Sequence, residues 1–342
     1  MSASYSPKWT PDMPEISILT ETELRQILPL DTAAVECIET AFRLLAITDV
    51  VMPPILSFHI PDHNGEIDVK TAYVPGIESF AVKMSPGFFD NPKLGLPSLN
   101  GLMVLFSSRT GIVEGVLLDN GYLTDVRTAA AGAVAAKWLS REDARTAGIV
   151  GTGTQARLQL KALSLVRDLK KAVVWGRDEA KAKQYARELS DELTLEIEVA
   201  SSLDALMAEA DIIVTTTPSQ APLISAAQLR PGQHITAMGS DADYKCELAA
   251  DVIPAADLYV CDNLAQCRKQ GELRTALAAG QVKSAAIFPE LGSVIAGQHR
   301  GRPLHDSITI CDLTGTGVQD TAIATLARER ARATRAGTIF SS

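Results

Sequence analysis

The feature that most constrains this chain is Gly151-Thr152-Gly153-Thr154-Gln155-Ala156, placed between an apolar run at 147–150 and the helix-forming stretch "TQARLQLKALSLVR". Gly151 permits a tight turn, Gly153 lets backbone approach a pyrophosphate, and Ala156 is small enough for the helix to lie close on a sheet. The helix start then offers unpaired N–H groups to a phosphate. The same grammar continues downstream: "KAVVWG", "LEIEVA", "DIIVTTT", "HITAMG" and "LYVCD" read as strands, mostly with helical segments between them. Strand and helix in alternation predict a parallel sheet covered on both faces.

The tip of the second strand bears on the cofactor. An acidic side chain there bonds the ribose 2′-hydroxyl of NAD, whereas Gly176 stands there in this chain and Arg177 follows it. That favours NADP(H) over NAD(H). Alternatively Arg177 is solvated or stacks on adenine, and Asp178 turns into the site, leaving NAD usable. Thr215, Thr216 and Thr217 end the fourth strand at the carboxyl edge, where open α/β sheets bind ligands. They also read simply as β-branched residues closing a strand before Pro218.

Upstream the texture differs. Residues 1 to about 14 carry three prolines and read as an arm ordered on contact or a frayed tail. Thr20 and Glu23 form a capping-box pattern, Pro29 stops that helix, and Asp31 is placed to cap a second one to about residue 45. From 53 to 118, short strands at 80–84, 101–107 and 113–119 alternate with Gly, Pro and Asn. The stretch "SRTG" makes a turn between the last two, which predicts a mostly antiparallel sheet in an α+β domain. An alanine-rich helix at 124–139 joins the two regions. Near the end, "ITICDLTGTGVQD" starts as a strand and opens a helix from about 318 to 336.

Composition narrows the function classes. A length of 342 residues suggests about two domains. A net charge of −9 argues against a general nucleic-acid binder. No apolar run approaches the roughly 20 residues that span a bilayer, and the first residues lack a signal-peptide pattern. The five cysteines are scattered without a CxxC pair, which predicts buried free thiols in a reducing cytoplasm. None of the five histidines has metal-ligand spacing, so no metal is expected.

The stretches "GLPSLNGLMVLFSSRTG", "LLDNGYLTDVRTAAAGAVAAKWL", "IVGTGTQAR", "TTTPS", "MGSDADYKCEL" and "CDLTGTGVQD" resemble the ornithine cyclodeaminase/μ-crystallin family, over about residues 16–335. The segment from "GEIDVK" to "SLNG" is most similar to its ectoine-utilisation, cyclodeaminase-like branch. The resemblance implies an α/β fold: a Rossmann doubly wound parallel sheet at 131–308, and an α+β substrate and dimerisation domain from 1–130 with 309–342. It implies NAD(P)-dependent hydride transfer at the Cα–N unit of a small amino or imino acid, by a homodimer. The reaction is that of a cyclodeaminase-like enzyme or of an imine reductase or amino acid dehydrogenase.

Residue roles follow from the same resemblance. Lys83 in "AVKM" matches a lysine near the substrate carboxylate, Arg127 in "DVRTAA" matches a carboxylate-binding arginine, and Asp241 in "GSDADYK" matches the acid–base aspartate. Without the resemblance, Lys83 and Arg127 read as surface charges, and Asp241 reads as a helix cap with Asp243 as a neighbour able to take its role. Leu56 falls where the family often has arginine, while Lys70 falls where relatives carry an apolar residue. Either Lys70 supplies the missing cation, or the substrate bears a different anionic group, or the ornithine reaction is lost. Glu66 is a candidate second acid–base or ammonium-binding group, and Asn100 a candidate partner for substrate or nicotinamide. The stretch 315–320, with Val318, offers amides to the cofactor or to a partner subunit. Two alternatives stay open: an ornithine or lysine cyclodeaminase proper, and a crystallin-like nucleotide-binding protein with little catalysis. The joint presence of Lys83, Arg127 and Asp241 argues against the second.

Overall fold

The computed structural model describes residues 15–341, so the expected arm at 1–14 lies outside the described residues. The strands are β1 (Glu15–Thr20), β2 (Leu56–Ile60), β3 (Gly65–Ala72), β4 (Ser79–Phe88), β5 (Leu102–Ser107), β6 (Val113–Leu118), β7 (Thr146–Val150), β8 (Lys171–Trp175), β9 (Glu196–Val199), β10 (Ile212–Thr215), β11 (His234–Ala237), β12 (Leu258–Cys261), β13 (Thr309–Asp312) and β14 (Thr338–Ser341). The helices are α1 (Glu21–Ile27), α2 (Thr32–Ile47), α3 (Tyr122–Leu139), α4 (Thr154–Ser164), α5 (Glu179–Leu193), α6 (Leu203–Glu209), α7 (Val252–Ala255), α8 (Leu264–Gln270), α9 (Glu272–Ala278), α10 (Leu291–Ile295) and α11 (Gly317–Thr334). The capping box of Thr20 with Glu23 and the Asp31 cap form as the sequence predicts.

The strands make two sheets. The first runs β14-β1-β6-β5-β4-β3-β2, antiparallel throughout except for the parallel pair β1 and β6. The second runs β12-β13-β11-β10-β7-β8-β9, with every pair parallel. Its order reverses between β7 and β10, which is the topological switch point of a Rossmann-type doubly wound sheet. One boundary is corrected here. β13 inserts between β11 and β12, so the chain leaves the second sheet after Asp312 rather than at 308.

Helix α3 is the hinge of the core. It is buried on nearly every side, and its small residues let α4 pack close: a Cβ at Gly132 would run into the side chain of Gln159. One apolar cluster joins α2, α3 and α11 to the inner faces of β4, β5 and β6, and reaches Val260 and Cys311 of the second sheet. Two further clusters cover the two faces of that sheet.

The other face of the first sheet is different. Along β4 and β5, buried Ala81, Lys83, Met103 and Leu105 alternate with half-exposed Phe80, Val82, Met84, Leu102, Val104 and Phe106. An antiparallel sheet with one solvated face alternates apolar with polar. Here the outer face is apolar as well.

Candidate active site

The glycine turn has the conformation its sequence requires. Gly151 has φ +121°, and a Cβ there would meet Thr216 Oγ1 at 2.5 Å. Gly153 is the N-cap of α4, and no side chain caps that helix, so its first amides face outward. A Cβ at Gly153 would meet nothing within 4 Å. Open space in front of uncapped amides is a cradle for an anionic group. Ala156 is fully buried beneath it, which is the packing role expected of a small residue.

In front of the turn lies a cleft of about 250 Å³ lined by Gly151, Thr152, Gly153, Trp175, Arg177 and Lys181 among others. Asp178 also borders it, but its carboxylate caps α5 by accepting from the Ala180 and Lys181 amides at 3.0 and 3.1 Å. Both bonds go to Oδ1, so the cap fixes the side chain while Oδ2 keeps no partner among the described residues. Lys181 is a second cation here, which sequence reading missed because a lysine in a charged helix carries no distinguishing signal.

Thr216, Thr217 and Pro218 line this cleft and also a second one of about 260 Å³, so the two are continuous past the end of β10. The second is lined by Lys70, Asp125, Arg127, Gln155, Asp241, Lys245 and the Thr314–Gly315 turn, among others. Gln155 of the glycine motif donates to the Asp125 carboxylate at 2.9 Å, linking the two halves.

Behind this second cleft sits a buried charge cluster. Lys70 and Lys83 are directly paired across β3 and β4, which puts both on the same face of the first sheet. Asp320, in the first turn of α11, lies 3.1 Å from the Lys83 ammonium, and it accepts from Arg127 Nε at 3.1 Å. Gln319 accepts from the same guanidinium at 3.0 Å. Lys70, 9% exposed, donates to the Gly315 carbonyl at 3.3 Å and has no carboxylate within ion-pair distance among the described residues. Three cations therefore surround one buried carboxylate, which pairs with Lys83 and Arg127 and leaves Lys70 without a partner charge.

The titration of the cluster follows from this imbalance. Burial alone would raise the Asp320 carboxyl, but Lys83, Arg127 and Lys70 outweigh it and hold it below the usual range. Burial pushes Lys83 down to about 7 against the pull of Asp320, and the charges of Arg127 and Lys70 push the same way.

Across the cleft, Asp241 is exposed in the loop after β11, and Lys245 donates to its carboxylate at 2.6 Å. No helix begins there, so the capping alternative for Asp241 falls. Glu66 lies near this group on β3. Burial and the charge of Asp68 raise its carboxyl, with the Lys245 ammonium pulling it back.

Several expected site residues stand elsewhere. Lys83 is buried behind the cleft and does not line it. The side chain of Val318 is fully buried, packed with Ala41, Ala72 and Val74 on the inner side of α11, so only its backbone is left to serve a ligand. The Asn100 side chain accepts from the Gly101 amide at 2.6 Å and lines neither cleft. Thr154 is exposed outside both, and Thr215 is fully buried, donating to Glu247. Leu56 pairs with Val69, so alternation places it on the sheet face opposite Lys70, 60% exposed. It therefore does not mark a gap in the cleft.

Sequence reading missed Asp320, although it lies within the "GTGVQD" stretch. An aspartate in the first turn of a helix is ordinary, and nothing local shows that two cations 193 and more residues away converge on it.

Comparisons with known proteins give the family and the fold. Residues 15–335 match the model of the ornithine cyclodeaminase/mu-crystallin family. A putative dehydrogenase of Rhizobium meliloti strain 1021 is 59% identical over 96% of this chain and 100% of its own. An archaeal alanine dehydrogenase dimer with bound NAD superposes with a TM-score of 0.89, at 32% identity over 95% of this chain and 99% of that one. The Thermococcus litoralis Δ1-pyrroline-2-carboxylate reductase, in complex with NADH and L-proline, has the same TM-score of 0.89 at 29% identity, covering 94% of this chain and 99% of its own. This chain belongs to the ornithine cyclodeaminase/mu-crystallin family, as an enzyme of it.

Proposed function

We propose that the protein catalyses NAD(P)-dependent hydride transfer at the Cα–N unit of a small amino or imino acid. The carrying observation is the unpaired Lys70 ammonium beside Arg127, in a cleft continuous with the glycine turn. A substrate α-carboxylate supplies the negative charge this corner lacks, and Arg127 presents a planar donor to it while Asp320 fixes the guanidinium. Lys83 adds charge from behind. Lys70 thus takes the part of a carboxylate-binding cation from within β3.

Asp241 stands on the other side of the cleft, where it takes a proton from the substrate amine or returns one to the imine nitrogen. Lys245 holds its carboxylate in place. Gly151, Gly153 and the open amides of α4 fit a pyrophosphate, and Thr216 and Thr217 would border the nicotinamide end. A bound nicotinamide supplies the hydride acceptor or donor. Arg177 and Lys181 favour a 2′-phosphate and hence NADP(H), while the second oxygen of Asp178 leaves NAD(H) usable.

The apolar outer face of the first sheet supports a homodimer, in which a second copy covers Phe80, Val104, Phe106 and their neighbours. The reaction is that of a cyclodeaminase-like enzyme or of an imine reductase or amino acid dehydrogenase. The deciding experiment incubates the protein with NAD+, NADP+, NADH and NADPH and a panel of ectoine-derived diamino acids, ornithine, lysine, alanine and cyclic imino acids. Nicotinamide absorbance and ammonia are followed together. Net cofactor turnover identifies a dehydrogenase or reductase, and ammonia without net cofactor change identifies a cyclodeaminase. Silence across the panel, with cofactor bound, contradicts the proposal.

A further inference from the structure

Between the two strand ends that border the cleft lies a carboxylate that lines neither half of it. Glu247 is fully buried. One of its oxygens accepts the Thr217 amide at 2.6 Å. The other accepts the Thr215 hydroxyl at 2.6 Å and the Gly239 amide at 2.8 Å. Thr217 belongs to the loop after β10, shared by both halves of the cleft, while Gly239 belongs to the loop after β11, which carries both Asp241 and Glu247 before α7 begins. The two loops touch so closely at this point that a Cβ at Gly239 would run into both the Glu247 carboxylate and the Thr217 carbonyl. The backbone of Glu247 is itself anchored, since Glu272 accepts its amide at 2.8 Å and the next one, from Leu248, at 3.1 Å.

Three donors converge on two oxygens, which is the demand of a carboxylate and of no neutral side chain of this size. A glutamine would turn one N–H donor against another. A buried charge satisfied by three short bonds is also a rigid one, because releasing any of them leaves it unpaired.

We propose that Glu247 is a positioning residue that ties the cofactor loop to the loop carrying Asp241 and so sets the distance between cofactor and proton acceptor. The proposal rests on the function given above. It requires that loosening the tie slow the chemistry while leaving cofactor affinity nearly intact, since Glu247 itself lines neither half of the cleft.

The test compares the whole protein with Glu247→Gln, Glu247→Asp and Thr215→Val, using NADPH and the fastest member of the substrate panel. Cofactor binding is read from quenching of Trp175, which lines the cofactor cleft. In Glu247→Gln, NADPH affinity stays within about threefold of wild type while kcat falls about 30-fold or more, as expected for losing bonds to a charged group. The deuterium isotope effect on hydride transfer rises, because chemistry becomes rate-limiting. Glu247→Asp and Thr215→Val fall between, each keeping part of the tie. Wild-type kcat in a folded Glu247→Gln overturns the role, as does a parallel fall of affinity, kcat and melting temperature. Should Glu247→Gln not fold, Thr215→Val carries the test, and unchanged kcat with unchanged isotope effect there overturns it. Asp241→Asn, run alongside, separates the two readings. Silence of the wild type across the substrate panel contradicts the proposed function itself, and turnover retained in Asp241→Asn contradicts the acid–base role of Asp241 on which the positioning role rests. Turnover lost there but normal in Glu247→Gln contradicts only the positioning role.

Discussion

The two halves of the cleft are built by opposite means. The cofactor half is made of one contiguous turn: Gly151, Gly153 and the start of α4 present backbone, with Arg177 and Lys181 at the rim. The reaction half is made of side chains from distant parts of the chain, with Lys70 and Lys83 on neighbouring strands, Arg127 on α3, Asp241 after β11 and Asp320 on α11. Backbone geometry tolerates much provided the glycines stay. A charge cluster depends above all on its one carboxylate, because the buried cations around Asp320 repel one another.

The largest expected effect is therefore in the reaction half. Asp320→Ala removes the one carboxylate between Lys83 and Arg127 and is expected to cost about 3–5 kcal/mol, read by urea unfolding. A loss below about 1 kcal/mol would mean the cluster is not held by charge. In the cofactor half the two glycines should separate. Gly151→Val is strained at φ +121° and clashes with Thr216, so it lowers the melting temperature. Gly153, at φ −81°, accepts valine without strain, so Gly153→Val should keep its melting temperature while losing about tenfold or more in cofactor affinity. Equal effects of the two would erase the distinction between a turn glycine and a ligand-facing one.

Smaller effects sharpen the comparison. Arg177→Ala is expected to weaken NADP(H) about 10–100-fold and NAD(H) far less, by isothermal titration. Equal weakening of both would remove the 2′-phosphate role. The smallest effect is a pH limb. Lys83, pushed down to about 7, is cationic below that value and neutral above it. The attraction for a substrate carboxylate is thus full at low pH and fades as pH rises through 7, so KM should climb between about pH 6 and 9. In Lys83→Met the climb disappears and KM is high throughout. A wild-type KM flat across this range contradicts the titration of Lys83.

What was legible in the sequence follows the same division. The glycine turn, the capping box of α1 and the alternation of β7 to β10 with helices are local patterns, and local physics fixes them. β14 was not legible, since four exposed residues after Gly337 carry no periodic signal. The insertion of β13 beside β11 was invisible too, because neighbouring strands in a parallel sheet need not be neighbours in sequence. Lys70, Arg127 and Asp241 were reached only through resemblance, and Asp320 not at all as a site residue. What makes these residues a candidate site is convergence in space. Sequence also misread Leu56: alignment set it against an arginine, whereas the β2–β3 register turns it to the opposite face.

The central claim is that Asp241 moves the substrate proton in a cleft that binds its cofactor independently. Asp241→Asn tests it most directly, in a single-turnover measurement of the nicotinamide signal with enzyme in excess over substrate. The account predicts unchanged cofactor affinity and a rate of hydride transfer lower by about 10²–10⁴-fold. A mutant that transfers hydride at the wild-type rate would contradict it.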